Sequence, residues 1–151
     1  MDQIKTPLPH TTHLDKFKSD KGDVKHGIKS SDKSFMGFGE AYFSSVRHDV
    51  TKGWKLHKNM TLNLIVPHGE INFIVHDGKN NKSLIDPLIN VTIGDNNYLR
   101  LTVPPGFWVA FKGVGKGSNL LLNIASIEHN PDESENRDLN FFKVKGLTNN
   151  E

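Results

Sequence analysis

The sequence predicts an all-β protein built as a sandwich or a barrel. Short apolar runs rich in Val, Ile, Leu and Phe recur along the chain, and each is bounded by Gly, Pro, Asn or Asp. Turn signals at a spacing of roughly 8–12 residues are typical of antiparallel β architectures. No long segment repeats its apolar residues with the 3.6-residue period of a helix.

The strands follow one another in order from the first third of the chain. Phe38–Val46 and Thr61–Val66 are the first strong strand signals. Pro67–Glu70 predicts a hairpin turn, from which Ile71–Asp77 would return. Four more runs follow at residues 88–94, 98–104, 107–113 and 119–126, and a short helical turn is expected near residues 132–138.

These signals place one domain between two polar ends. Residues 1–13 contain prolines, threonines and histidines with little to bury, which favours an N-terminal arm. Residues 14–139 carry all the strand signals and form the predicted barrel domain. Residues 140–151 are mostly polar and are expected to form a C-terminal tail.

Composition excludes several classes of function. The chain has 151 residues, enough for one domain with its own core, and it has no cysteine. Disulfides, zinc–thiolate sites and thiol nucleophiles are therefore excluded. The net charge of +2 comes from scattered lysines, so a nucleic-acid partner is not expected. No apolar run reaches the roughly 18 residues of a membrane span, and we expect a soluble cytoplasmic protein.

Two motifs resemble the paired motifs of the cupins, although their metal ligands are mostly replaced. Lys55 and His57 occupy the first motif's His-x-His slot, and Asn63 falls near its acidic slot. The second motif begins at Pro104–Gly106 and has Val109 where the last histidine ligand should be. One imidazole out of four expected ligands does not make a transition-metal site, so no metal is predicted.

The strand layout also resembles the nucleotide-sugar branch of the cupins. The similar groups are the dTDP-4-dehydrorhamnose 3,5-epimerase family and the dTDP-sugar 3,4-ketoisomerases. This resemblance implies a cupin jelly-roll barrel, a dTDP-4-keto-6-deoxyhexose substrate, a role in surface polysaccharide synthesis, no cofactor and a homodimer. Five segments in the family's order carry it: Leu14–Asp23, Phe35–Val46, Val50–Lys58, Val103–Gly113 and Glu128–Glu133.

The family's chemistry needs a base, a group that holds the enolate oxygen and an acid. The resemblance implies His57 as the principal acid/base and places Lys55 beside it, in the slot of the family's other histidine. His129 falls where the family has a tyrosine, and an imidazole there could serve as the second proton carrier. The alternative interpretation of Lys55 is that it replaces a lost histidine and faces solvent.

Six further residues are predicted to bind the substrate. By resemblance, two lysines match basic residues that hold the diphosphate. A tryptophan could form an apolar wall, although aromatic residues in strands are also common in cores. Two asparagines in apolar runs and a glutamate in the first strand could line the cavity, or the glutamate could lie on a wet sheet face. These residues are Lys21, Lys52, Trp54, Asn63, Asn123 and Glu40.

Two functions remain open at this point. The first is an isomerase of the 3,5-epimerase type that works by enolate proton transfer. The second is a cupin that has lost catalysis and binds a sugar nucleotide or another small ligand, which the replacements at Lys55 and Val109 would favour. The position of Lys55 and the contents of the barrel interior distinguish the two.

Overall fold

Two five-stranded antiparallel sheets face each other in the computed structural model, which describes residues 7–79 and 83–147. The all-β jelly-roll prediction is confirmed. Within the described residues the two sheets do not close into a continuous barrel. The strands are short, the paired ones are antiparallel, and β6 and β9 of the first sheet are buried along most of their length.

Twelve strands and two single turns of 3₁₀ helix make up the described chain. The strands are β1 His10–His13, β2 Lys16–Phe17, β3 Val24–Lys25, β4 Glu40–Val46, β5 Thr51–His57, β6 Leu62–His68, β7 Glu70–His76, β8 Ile89–Gly94, β9 Leu99–Val103, β10 Trp108–Gly113, β11 Asn119–Ala125 and β12 Ser134–Asn136. The 3₁₀ turns span Pro131–Glu133 and Leu139–Phe141.

The first sheet has the strand order β1-β9-β6-β11-β4, and the second has the order β12-β5-β10-β7-β8. Strands β2 and β3 form a small separate ribbon. Apolar side chains from both large sheets meet between them, with Phe73, Ile93 and Leu101 fully buried. The cavity described below also lies between the sheets, and Leu62, Leu64 and Leu121 of this core line it.

Gly69 does not form the predicted hairpin. Strands β6 and β7 follow each other directly but belong to different sheets, so the chain crosses from one sheet to the other at this residue. Gly69 has a φ of 84°, and a Cβ atom there would lie 2.4 Å from the Asn119 side-chain oxygen. The corner therefore needs glycine for both its backbone conformation and its close contact.

The predicted arm and tail are both part of the fold where they are described. His10–His13 pairs with β9, although residues 1–6 lie outside the described part of the chain. Beyond residue 139, Phe142 and the buried Val144 pack on the outer face of the second sheet, and residues 148–151 are again outside the description. The few apolar residues of this mostly polar C-terminal segment therefore pack it against the sheet.

No helix within residues 7–79 and 83–147 has the length and apolar character that crossing a membrane requires.

Candidate active site

A cavity of about 340 Å³ opens between the two sheets. Strands β4, β6 and β11 of the first sheet line one side, and β5, β10 and β12 of the second line the other. Apolar side chains such as Leu62, Leu64 and Phe111 form much of its surface. The polar groups are few, as in most small-molecule sites.

His57 lies at the cavity wall and forms a buried pair with Glu133. Its Nδ1 makes a short hydrogen bond with the Glu133 carboxylate, and the side chains are only 7% and 3% exposed. A carboxylate can only accept hydrogen bonds, so the proton on Nδ1 points to Glu133 and Nε2 keeps its lone pair. This arrangement fixes the tautomer that a general base requires.

Glu133 is held as a carboxylate by several donors. Burial alone would raise its pKa. The hydrogen bond from His57, the backbone N–H groups of Asn59 and Met60 and the attraction of the imidazole outweigh that effect, so the pKa lies below its usual value. The 3₁₀ turn at Pro131–Glu133, capped by the Asn130 side chain, fixes the residue.

Glycines of both cupin-like motifs position the strand that carries His57. The Gly106 N–H, in the Pro-Pro-Gly turn, donates to the His57 carbonyl at 2.8 Å. On β5, Gly53 has a φ of 144°, and a Cβ atom there would lie 2.7 Å from the Ala110 Cβ. Both residues therefore hold the backbone of β5 close to β10.

Tyr42 and Asn123 form the polar part of the opposite wall. The Asn123 side-chain N–H₂ donates to the Tyr42 hydroxyl oxygen at 3.0 Å, and its oxygen accepts from the Asn63 backbone N–H. Because Asn123 occupies an acceptor position of the phenol, the Tyr42 proton remains available for a ligand. The cavity thus has an imidazole on one wall and a hydroxyl on the other.

Three basic residues also line the cavity. Lys52 and Lys55 belong to β5, and Arg137 follows β12. Lys55 is half-buried, and the Lys52 ammonium reaches across to the Ser45 carbonyl at 2.6 Å. No aspartate or glutamate is among the lining residues. This imbalance makes the cavity suitable for an anionic ligand.

Trp54 is among the lining residues, but its ring packs in the cluster on the outer face of the second sheet. Its ring packs 4.7 Å from His76 and 6.1 Å from Phe142, between ring centres, and its indole N–H donates to the Leu139 carbonyl. Only 1% of the residue is exposed. The structure therefore supports the core interpretation of this tryptophan over a stacking role.

Asn63 and Lys21 do not reach the cavity. Asn63 lies on the opposite face of β6 from Leu62 and Leu64, where it donates to the Ser34 carbonyl and accepts from Thr102. The prediction that Asn63 points into the barrel was wrong, because its apolar neighbours Leu62 and Leu64 face the interior instead. Lys21 is exposed in the turn between β2 and β3.

Glu40 and His129 also lie outside the cavity, next to each other. The Glu40 carboxylate accepts the His129 backbone N–H at 2.7 Å. His129 is exposed, and neither side chain is part of the lining. The structure thus brings His57, Lys55, Lys52, Trp54 and Asn123 to one cavity and leaves the other predicted residues out.

Four lining or supporting residues were not predicted as site residues: Tyr42, Ser44, Glu133 and Arg137. Tyr42 and Ser44 share a strand face by the period of two, a signal visible in the sequence. Glu133 ends the segment that resembles the family's closing element. Arg137 had no signal, because its position depends on β12 pairing with β5.

No group of three or more His, Asp or Glu side chains in the described residues could hold a metal ion.

The fold and this cavity define a cupin of the sugar-nucleotide-modifying type, and comparison with known proteins specifies the family. The family model described as "FdtA: WxcM-like, C-terminal" matches residues 9–145. The chain belongs to this FdtA/WxcM-like family. No protein with a curated description matches it in sequence.

Solved structures agree with this assignment. A dTDP sugar isomerase from Desulfovibrio desulfuricans G20 is 30% identical, with a TM-score of 0.79 over 88% of this chain and 85% of that one. QdtA, a sugar 3,4-ketoisomerase from Thermoanaerobacterium thermosaccharolyticum, is 19% identical with a TM-score of 0.68, covering 88% and 90%. A dTDP-4-dehydrorhamnose 3,5-epimerase from Elizabethkingia anophelis NUHP1 is 16% identical with a TM-score of 0.69, covering 91% and 80%.

Proposed function

We propose that this protein is an isomerase of a dTDP-4-keto-6-deoxyhexose that works by enolate proton transfer. The observation that carries the proposal is the buried His57–Glu133 pair at the wall of a cavity that also holds Tyr42 and three basic residues. A deoxysugar for surface polysaccharide would be the product, and the cytoplasmic location and homodimer predicted above are kept as part of the proposal.

His57 would begin the reaction by removing the proton from C3 of the sugar. The C3–H bond breaks, its electron pair forms the C3–C4 double bond, and the C4 carbonyl becomes an enolate oxygen. Lys55, on the same strand two residues away, would stabilise that negative charge. Glu133 remains ionised and stabilises the imidazolium that forms.

The second step decides the product. Return of the proton to C4, with transfer of the O3 hydroxyl proton to O4, moves the ketone from C4 to C3. Return to the other face of C3 gives an epimer instead. Tyr42 has a hydroxyl proton available for either transfer. We favour the ketone shift over the 3,5-epimerisation expected from the resemblance, because this chain covers 90% of the sugar 3,4-ketoisomerase QdtA and 80% of the 3,5-epimerase.

The diphosphate would bind at the basic side of the cavity. Lys52 of β5 and Arg137, which directly follows the neighbouring strand β12, carry the charges that phosphate oxygens need. The Arg137 guanidinium lies over the rings of Trp108 and Phe141 at 5.4 and 5.3 Å, and this exposed side chain would turn from them to reach a phosphate oxygen.

Proton exchange in deuterated water tests the proposal. Wild-type protein is incubated with dTDP-4-keto-6-deoxyglucose and followed by NMR beside His57→Asn, with His129→Asn as a matched control outside the cavity. We expect deuterium at C4 together with a ketone at C3, lost in His57→Asn and retained in His129→Asn. Deuterium confined to C3, or to C3 and C5, would mean epimerisation.

The second candidate is a cupin that binds the sugar nucleotide without turning it over. Lys55 and Val109 both line the cavity where the family motifs have histidines, which is the observation in its favour. In that case the exchange experiment would show no deuterium, while the ligand would still shift protein signals from the cavity.

A further inference from the structure

A second cavity lies on the outer face of the first sheet, away from the site described above. Its volume is about 390 Å³, within the range of small-molecule sites. Thr102 of β9 lines it, whereas the neighbouring Leu101 and Val103 belong to the core between the sheets. The two cavities share no lining residue among those that the structure describes.

A buried arginine fixes one wall of this second cavity. Arg100 is only 2% exposed, and its guanidinium donates to the Ser34 hydroxyl at 2.8 Å and to the Gly27 carbonyl at 2.7 Å. The Asn63 side-chain N–H₂ also donates to the Ser34 carbonyl at 3.0 Å. Burying a guanidinium is costly unless it is hydrogen-bonded. These bonds therefore hold residues 33–36, which form part of the wall, on the sheet.

Thr61 presents an unpartnered hydroxyl to the cavity. The residue is 7% exposed and its backbone N–H donates to the Ser126 hydroxyl oxygen at 2.8 Å. The Thr61 hydroxyl itself has no hydrogen bond to any residue within 7–79 and 83–147, although it belongs to the lining. A buried hydroxyl without a partner costs free energy, which a polar atom of a ligand would recover.

The remaining lining residues define the chemistry of that ligand. Lys33 is exposed and forms no ion pair with any residue that the structure describes, and no described Asp or Glu lines the cavity. This charge favours an anionic group. Much of the rest of the wall is apolar and is formed by Met36, Pro104, Pro105 and Ile127. A small organic anion with an apolar body satisfies both features.

We propose that this cavity is a second ligand site, which binds a small aryl anion such as an aryl carboxylate or an aryl phosphate. The anionic group would accept hydrogen bonds from the Lys33 ammonium and from the Thr61 hydroxyl, and the ring would pack on the apolar wall. The Ser34 hydroxyl accepts from Arg100 and keeps its own proton for the same anion.

A ligand in the second cavity would contact the segments that hold His57 and Glu133. Asn59 is a lining residue, and its backbone N–H donates to the Glu133 carboxylate at 3.1 Å. On another wall, Pro105 directly precedes Gly106, whose N–H donates to the His57 carbonyl at 2.8 Å. An occupied second cavity would therefore change the surroundings of the His57–Glu133 pair.

An NMR titration of the full chain tests the site. Amide signals are followed as benzoate or phenyl phosphate is added, with benzyl alcohol as the neutral probe. We expect saturable shifts at Ser34, Thr61 and Ile127, and about tenfold weaker binding of benzyl alcohol. Shifts with benzoate alone would define a carboxylate site, and shifts with phenyl phosphate alone a phosphate site. No saturable shift from either anion, shifts confined to the first cavity, or equal binding of benzyl alcohol would overturn the proposal.

Matched variants separate the contribution of each polar group. Lys33→Gln should weaken anion binding about tenfold, and Thr61→Val, which keeps the shape without the hydroxyl, about fivefold. Lys116→Gln, at an exposed lysine outside both cavities, is the control. Lys52→Gln alters the first cavity and should leave these shifts unchanged, so this proposal and the isomerase proposal can fail separately. Unchanged affinity in Lys33→Gln would contradict the site.

A shortened chain distinguishes a free ligand from the protein's own N-terminus. Pro7 is one of the lining residues, so a chain that begins at Pro7 is titrated beside the full one. We expect the same affinity in both. Binding that is gained only after removal of residues 1–6 would assign the cavity to that segment and overturn the proposal.

Discussion

The Nδ1–H of His57 donates to the carboxylate of Glu133, a residue 76 positions further along the chain. Neither side chain could be positioned by its own segment alone. Strand β12, which directly follows Glu133, pairs with β5, so Ser134 lies opposite His57. The pairing of two short strands thus creates the base of the proposed reaction.

Replacing Glu133 with glutamine should lower turnover more than binding. The amide cannot hold the imidazole tautomer or stabilise the imidazolium, so we expect kcat to fall by roughly 10²–10³ with little change in KM. Steady-state kinetics measures the change. Glu135→Gln, a half-exposed position on β12, is the control and should keep wild-type rates. A Glu133→Gln variant with unchanged kcat would show that the pair is only structural.

Tyr42→Phe should remove the proton donor of the opposite wall. The ring and its packing remain, so the fold should be retained while kcat falls by about 10²-fold. A direct comparison with Ser44→Ala, on the same strand face, separates loss of this hydroxyl from a general change in the wall. Equal losses in both variants would argue against a special role for the phenol.

Arg137→Gln should weaken binding of the diphosphate. This side chain is exposed, so we expect KM to rise about tenfold with kcat retained. Added salt should raise KM of the wild type and have less effect on the variant. Arg47→Gln, away from the cavity, should leave KM unchanged.

Stability should fall as the pH decreases from about 6.5 to about 4 because of His76. Burial lowers its pKa from 6.5 to about 4, and the nearby Asp77 only partly offsets this effect. In this window the unfolded chain binds a proton that the folded chain does not. The free energy of unfolding should therefore decrease by about 3 kcal/mol on the acid side and be unaffected by this group above pH 6.5.

Urea unfolding at several pH values measures the His76 contribution. His76→Phe should flatten the slope between pH 6.5 and 4, whereas His129→Gln, at an exposed site, should leave the slope unchanged. An identical slope in wild type and His76→Phe would assign the pH dependence to other groups.

Val144→Ala should destabilise the fold although the residue lies in the predicted tail. Val144 is 5% exposed and packs in the cluster with Trp54 and Trp108. Loss of its methyl groups should cost about 2 kcal/mol in unfolding free energy, whereas Lys145→Ala, the exposed neighbour, should cost little. Equal melting temperatures for both variants would mean that the segment contributes no stability.

The sequence by itself determined the class of the fold and the position of the proposed base. Strand periodicity and the turn residues are local properties, so they predicted the all-β architecture, and the first cupin-like motif located His57 and Lys55. These signals need no knowledge of which strands are neighbours.

Only the tertiary structure decided which polar groups meet. A strand has two faces, and its pattern does not say which one is interior when both are buried; Asn63 therefore faced away from the cavity while Asn123 faced into it. The sequence around Gly69 predicts a hairpin turn, but the chain crosses there from one sheet to the other. The sheet that a strand joins depends on its pairing with strands that are distant in sequence. Glu133 reached His57, and His129 did not reach the cavity, because contacts between distant segments depend on the packing of the whole domain.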